Sequence, residues 1–173
     1  ERLVEIQYQR TDMPAFLLAT FRALNLAEQY GFSSELARCY SNVSAMTSAM
    51  LLPKAADRYT QRAKRVAEKA HDLSTVAYVQ TCNPVHVIGQ GKWEAARETL
   101  DQALELCTSI GDHRRWSEAT ALTMNLSCWN GEWERLARHA RKLCIATDTG
   151  LGIQVATWAY GWLLWVESAK DPH

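Results

Sequence analysis

The sequence predicts an all-α fold: a right-handed superhelix of antiparallel helical hairpins, an α-solenoid with about 40 residues per hairpin. Three observations carry this expectation. GKWEAARETLDQALEL from Gly91 aligns with GEWERLARHARKLCIA from Gly131, placing Trp93 over Trp133 and Ala103 over Leu143. The segments between such copies also read as helix, and strand signatures are missing: no alternating Val/Ile runs, no Asn-Gly hairpin turns. Turn residues fall where helices should end, with Gly31, Gly111 and Gly150 suited to the positive φ of a C-cap.

The elements follow in order. A first helix over 1–10 is short because Glu1 aligns with Ser41, in the middle of a helix, so the chain is expected to begin inside a hairpin of a longer protein. A helix over 13–30 carries Met13, Phe16 and Ala23 in register with the later copies and closes at Gly31. SSELARCYSNVSAMTSAM gives a helix over 34–50. Pro53, whose missing N–H costs nothing in a first turn, opens 53–70. Asp72 caps 74–89, which Pro84 should kink or interrupt. A helix over 93–110 ends at Gly111, Asp112 caps 114–130, and 133–148 and 152–168 complete the set. The repeat registers are 1–30, 31–70, 71–110, 111–150 and a partial 151–173, all within one domain spanning 1–173.

Packing explains the recurring residues. Alanines at 56, 63, 96 and 103 let neighbouring helices approach closely, while Leu100, Leu104 and Leu106 fill the remaining space. One hairpin cannot bury both of its faces, so stacking is what stabilises it.

Composition bounds the function. The chain has 173 residues, a formal net charge of zero and a hydrophobic fraction of 47%, enough for a real core and poorly suited to non-specific nucleic-acid binding. No apolar run reaches membrane-spanning length, and ERLVEIQYQR has no signal-peptide layout. Five cysteines, an odd number, sit in apolar helical surroundings and point to reduced thiols in the cytoplasm.

Gly91-x-Trp93-x-x-Ala96-x-x-x-Leu100-x-x-Ala103 resembles the second half of a tetratricopeptide repeat. Gly131-x-Trp133 keeps the start of that pattern, with Leu136 at its first small position. Pro53 to Ala63 keeps the alanines alone. The first-helix signature departs further, with Pro84 where the family has glycine, and the unit exceeds the family's 34 residues. The longer unit and Gly111-Asp112-His113-Arg114-Arg115-Trp116 resemble the helical-repeat tails of multidomain signalling proteins, in which a nucleotide cyclase or transcription regulator is joined to a P-loop ATPase module. That resemblance implies a regulatory or partner-binding role. It implies no catalysis in this segment, which contains no phosphate-binding P-loop motif.

The candidate sites are few. Cys82 and His86 are four apart, yet Pro84 lies between them and no Cys-x-x-Cys accompanies them, so they read as packing residues and no metal or cofactor is expected. The carboxylates sit among Lys and Arg on polar helix faces, the pattern of solvated i,i+4 pairs rather than of acid–base catalysis. Two basic runs, Arg58, Arg62, Lys64, Arg65 and Lys69, then Arg135, Arg138, Arg141 and Lys142, would bind phosphates only as a continuous unpaired stripe. Trp158, Trp162 and Trp165 follow helical spacing, and Trp129 and Trp133 flank the preceding turn. They are open to three readings: core, packing against a further repeat, or a binding hot spot. Partner binding is expected on the concave face, at Arg38, Ser41, Tyr78, Thr81, Glu118, Asn125, Trp129 and Trp158. The sequence thus reads as a non-catalytic protein–protein interaction or regulatory module, binding a protein, a peptide or other domains of its parent chain, and able to self-associate through terminal repeat faces. The alternatives are an enzyme or small-ligand sensor with a pocket inside the superhelix, and a nucleic-acid adaptor using a basic face.

Overall fold

A computed structural model describes residues 12–147 and 153–170, and every regular element among them is α-helical. The helices are α1 (Met13–Tyr30), α2 (Ser34–Ala49), α3 (Pro53–Ala70), α4 (Leu73–Cys82), α5 (Pro84–Gly89), α6 (Trp93–Ile110), α7 (His113–Trp129), α8 (Trp133–Thr147) and α9 (Ile153–Lys170). The helix expected over 1–10 and the cap expected at Gly150 lie outside the described residues.

Local chemistry sets the boundaries. Asp12, Ser33, Asp72 and Asp112 each accept a backbone N–H from the first turn that follows, at Ala15, Leu36, Ser74 and Arg115, satisfying donors that a helix start leaves open. Pro53 opens α3 as expected. Pro84 divides the expected 74–89 helix in two: Asn83 stays helical, at φ −63° and ψ −32°. Proline cannot donate the bond that would continue the ladder to the Gln80 carbonyl.

The turns share one device. Positive φ occurs at Gly31, Leu51, His71, Gly91, Gly111 and Gly131, a spacing of twenty residues. At three of them the second residue of the turn reaches five residues back. Leu52 donates to the Thr47 carbonyl, Asp112 to that of Cys107 and Glu132 to that of Ser127, the signature of a Schellman ending. Glycine takes this conformation freely; Leu51, at φ 58°, and His71, at φ 51°, do so against a steric cost.

The chain divides into two compact units, Glu1–Gly91 and Lys92–His173. The boundary falls inside the 71–110 register, within the span that the sequence reading treats as one domain. In the first unit α2 is central, packing against α1, α3, α4 and α5. Its core joins Leu24, Leu36, Tyr40, Val43, Ala63, Val66 and Val79. In the second unit α7 packs against α6, α8 and α9, around Met124, Leu136, Ala140, Leu143, Ala159 and Val166. Ala56, Ala63, Ala96, Ala103 and Leu100 are all fully buried, so the small positions of the repeat pattern are the interior positions. Buried Thr47, Thr81 and Thr123 satisfy their hydroxyls on carbonyls one turn back.

Candidate functional site

Two of the four expected partner-binding residues of the first unit, Arg38 and Tyr78, meet on the facing sides of α2 and α4. Arg38 and Asn42 lie one turn apart on α2, Ser74 and Tyr78 one turn apart on α4. The Arg38 guanidinium donates to Ser74 Oγ at 3.4 Å and sits 5.5 Å over the Tyr78 ring. The Tyr78 hydroxyl donates to Asn42 Oδ1 at 2.6 Å. Below them, Asp72 accepts from the Thr75 and Ser34 hydroxyls and the Ser74 N–H. The Thr75 bond leads in holding its carboxyl below the usual range, against the opposing effect of burial. These contacts fasten one helix to the next. Ser41 and Thr81 are 0% and 1% exposed, so neither presents surface to a partner in this conformation.

In the second unit, Glu118 accepts a charge-assisted hydrogen bond from Arg115 and pairs with Arg114 at 3.5 Å, both on its own helix. Asn125 is half-buried. Trp158 and Trp162 pack against the core. Trp129, Trp133 and Trp165 remain 57%, 44% and 44% exposed. Trp133 meets Trp165 at a tilt of 57° with ring centres 5.1 Å apart, and Trp162 meets Trp165 edge-on at 5.7 Å. The tryptophans therefore split between core and surface. Helical spacing groups 158, 162 and 165; only the packing of α8 on α9 brings Trp133 to them.

Four residues of the basic runs carry partners. Arg62 lies over Tyr40 and Tyr59 and 3.9 Å from Glu28; Lys69 lies over Phe32. Arg135 pairs with Asp101 at 3.0 Å, and Arg141 with Glu167 at 3.1 Å. Arg97 forms a two-bond fork with Glu132. That bond leads in raising the pKa of the guanidinium and in lowering that of the carboxyl. An open depression of about 620 Å³ beside Trp133 is lined also by Glu134, Arg135, Arg138 and His139. Burial, reinforced by Arg135 and Lys142, pushes the His139 imidazole down to about 4, so it is neutral at pH 7. The Cys107 thiol is pushed up to about 11, mainly by burial, the opposite of what an activated nucleophile needs.

His86 is the buried histidine of the first unit, 3% exposed. The interruption at Pro84 directs it to α2 and α3 rather than leaving it simply beside Cys82. Its Nδ1 lies 3.3 Å from Ser48 Oγ and its Nε2 2.8 Å from Asp57 Oδ1. Gln90 Nε2 lies 2.8 Å from the same Nε2 and 3.1 Å from the same Oδ1. Earlier in the chain, the Asn83 amide and Gln80 Oε1 are buried with no hydrogen-bond partner. Sequence reasoning singled out His86 but missed Ser48, Asp57 and Gln90, which come from three different places in the chain. Among the described residues no group of three or more His, Cys, Asp or Glu is arranged to hold a metal, and no helix is long and apolar enough to cross a membrane. No family model, no curated protein and no solved structure matches the chain.

Proposed function

We propose that this chain is a non-catalytic interaction module, built from stacked helical hairpins of the tetratricopeptide kind in a right-handed superhelix with a 40-residue period. The twenty-residue spacing of the left-handed turns supports the period. The role in a larger regulatory protein rests on the sequence resemblance. The observation that carries the binding role is the solvent-facing aromatic surface of Trp133 and Trp165, backed edge-on by Trp162. Tryptophan is the residue most enriched at binding hot spots, because it combines a large apolar area with one hydrogen-bond donor. Exposed, mutually packed indoles lose water contact favourably when a partner covers them. Arg135, beside Trp133 and paired with Asp101, contributes to a polar rim.

The test compares the wild-type chain with a Trp133→Glu/Trp165→Glu variant in affinity purification read by quantitative mass spectrometry. The proteins lost with the variant are then purified and titrated directly, using tryptophan fluorescence. A partner that binds the wild-type chain and loses at least about tenfold in affinity for the variant supports the reading. An unchanged partner set, with circular dichroism showing the variant folded, rejects it.

A further inference from the structure

We propose that Asp57, His86 and Gln90 form a binding site for a divalent first-row transition-metal ion. The three terminal atoms touch one another: Nε2 to Oδ1 is 2.8 Å, Nε2 to the Gln90 amide 2.8 Å, and the amide to Oδ1 3.1 Å. Hydrogen bonds alone leave one of these contacts unsatisfied while Asp57 is ionised. If Nε2 carries a proton, it serves Asp57. The Gln90 amide then opposes it donor to donor, or, turned over, opposes Asp57 acceptor to acceptor. If Nε2 carries its lone pair, it faces the carboxylate acceptor to acceptor. A cation at the centre resolves all three contacts. Nε2, Oδ1 and, after a half-turn of the amide, Oε1 become three ligands on one face.

The spacing fits. Ligand atoms about 2.1 Å from an octahedral ion stand about 3.0 Å from each other. An imidazole, a carboxylate and an amide carbonyl together suit a borderline ion such as zinc, cobalt or nickel rather than a soft one. His86 and Gln90 are four residues apart, a spacing that brings side chains together on a helical face. Ser48 supplies the outer support: its hydroxyl, 3.3 Å from Nδ1, accepts from Nδ1–H in the tautomer that leaves Nε2 bare. His86 is 3% exposed and the Asp57 side chain 53%. The ion would therefore be held from the protein side and keep positions open to water, on the side from which it enters.

The full chain, freed of metal and kept reduced by a phosphine, is titrated with Co²⁺ and followed by visible absorption and by the imidazole resonances of its histidines. The expected result is one equivalent bound, with weak bands of six-coordinate cobalt and paramagnetic shifts at His86. Asp57→Asn and Gln90→Ala should each weaken binding at least about tenfold, and Ser48→Ala by roughly ten- to a hundredfold. Circular dichroism checks that each variant folds; Asp57 and Gln90 lie near the surface, so they serve if Ser48→Ala does not. Affinity unchanged in the folded Asp57 and Gln90 variants overturns the proposal. So does a thiolate charge-transfer band, which would place the ion on cysteine, and so does the lack of any spectral change with cobalt in large excess.

Discussion

Replacing Leu143 by alanine tests the core of the second unit. Leu143 is fully buried on α8, among Met124, Leu136, Ala140, Ala159 and Val166. The substitution removes three carbons, which at about 0.8 kcal/mol each forfeits about 2.4 kcal/mol of transfer free energy. A residual void of roughly 50 Å³, at about 24 cal/mol per Å³, adds about 1.2 kcal/mol. The expected destabilisation is therefore about 3.6 kcal/mol. All seven tryptophans lie between Trp93 and Trp165, inside the second unit, so urea unfolding read by tryptophan fluorescence reports on that unit. With a denaturant slope of about 1.5 kcal/mol per molar, the midpoint should fall by about 2.4 M. Leu164→Ala, at a site 70% exposed, should move it by less than about 0.3 M. A Leu143→Ala shift under about 0.5 M, or one matched by Leu164→Ala, would refute the packing argument.

Two further outcomes follow from the turns and the charges. Leu51→Gly should raise stability by about 0.5–1 kcal/mol, since Leu51 is 86% exposed and its positive φ suits glycine better than any branched side chain; Gly111→Ala, at φ 70°, should lower it by about 1 kcal/mol, and thermal melts showing the reverse order would discount the turn geometry. The His139 imidazole, depressed to about 4 by burial and by Arg135, Lys142 and Arg138 against Asp101, is protonated more readily in the unfolded chain. The stability it protects is therefore present above about pH 6.5 and lost as pH falls towards 4. His139→Gln should flatten that part of the stability profile, and an NMR titration placing His139 near 6.5 would contradict the assignment.

The local grammar of the fold was legible because it acts over few residues. Asp72 and Asp112 cap the helices they precede, Pro53 opens α3, Pro84 breaks a helix, and Gly31 and Gly111 close theirs. The buried alanines were visible as a size pattern. The turns at 51 and 71 were legible too, from the helix ends expected at 50 and 70, but not their positive φ, which neither Leu51 nor His71 favours. Of the expected binding residues, Arg38 and Tyr78 do meet, but each is engaged in fastening α2 to α4. Ser41 and Thr81 turn inward.

By itself, then, the sequence determined where helices start and stop and which of their faces are apolar, since caps, proline, glycine and 3.6-residue periodicity act within one or two turns of chain. Tertiary structure decided which helices share a core, where the chain divides into two units, and which tryptophans stay in water. It also decided which polar side chains meet. Ser48, Asp57, His86 and Gln90 become neighbours only when α2, α3 and α5 pack. Such contacts depend on the rotation and offset of whole helices, which many weak side-chain contacts fix together and no short stretch of sequence encodes.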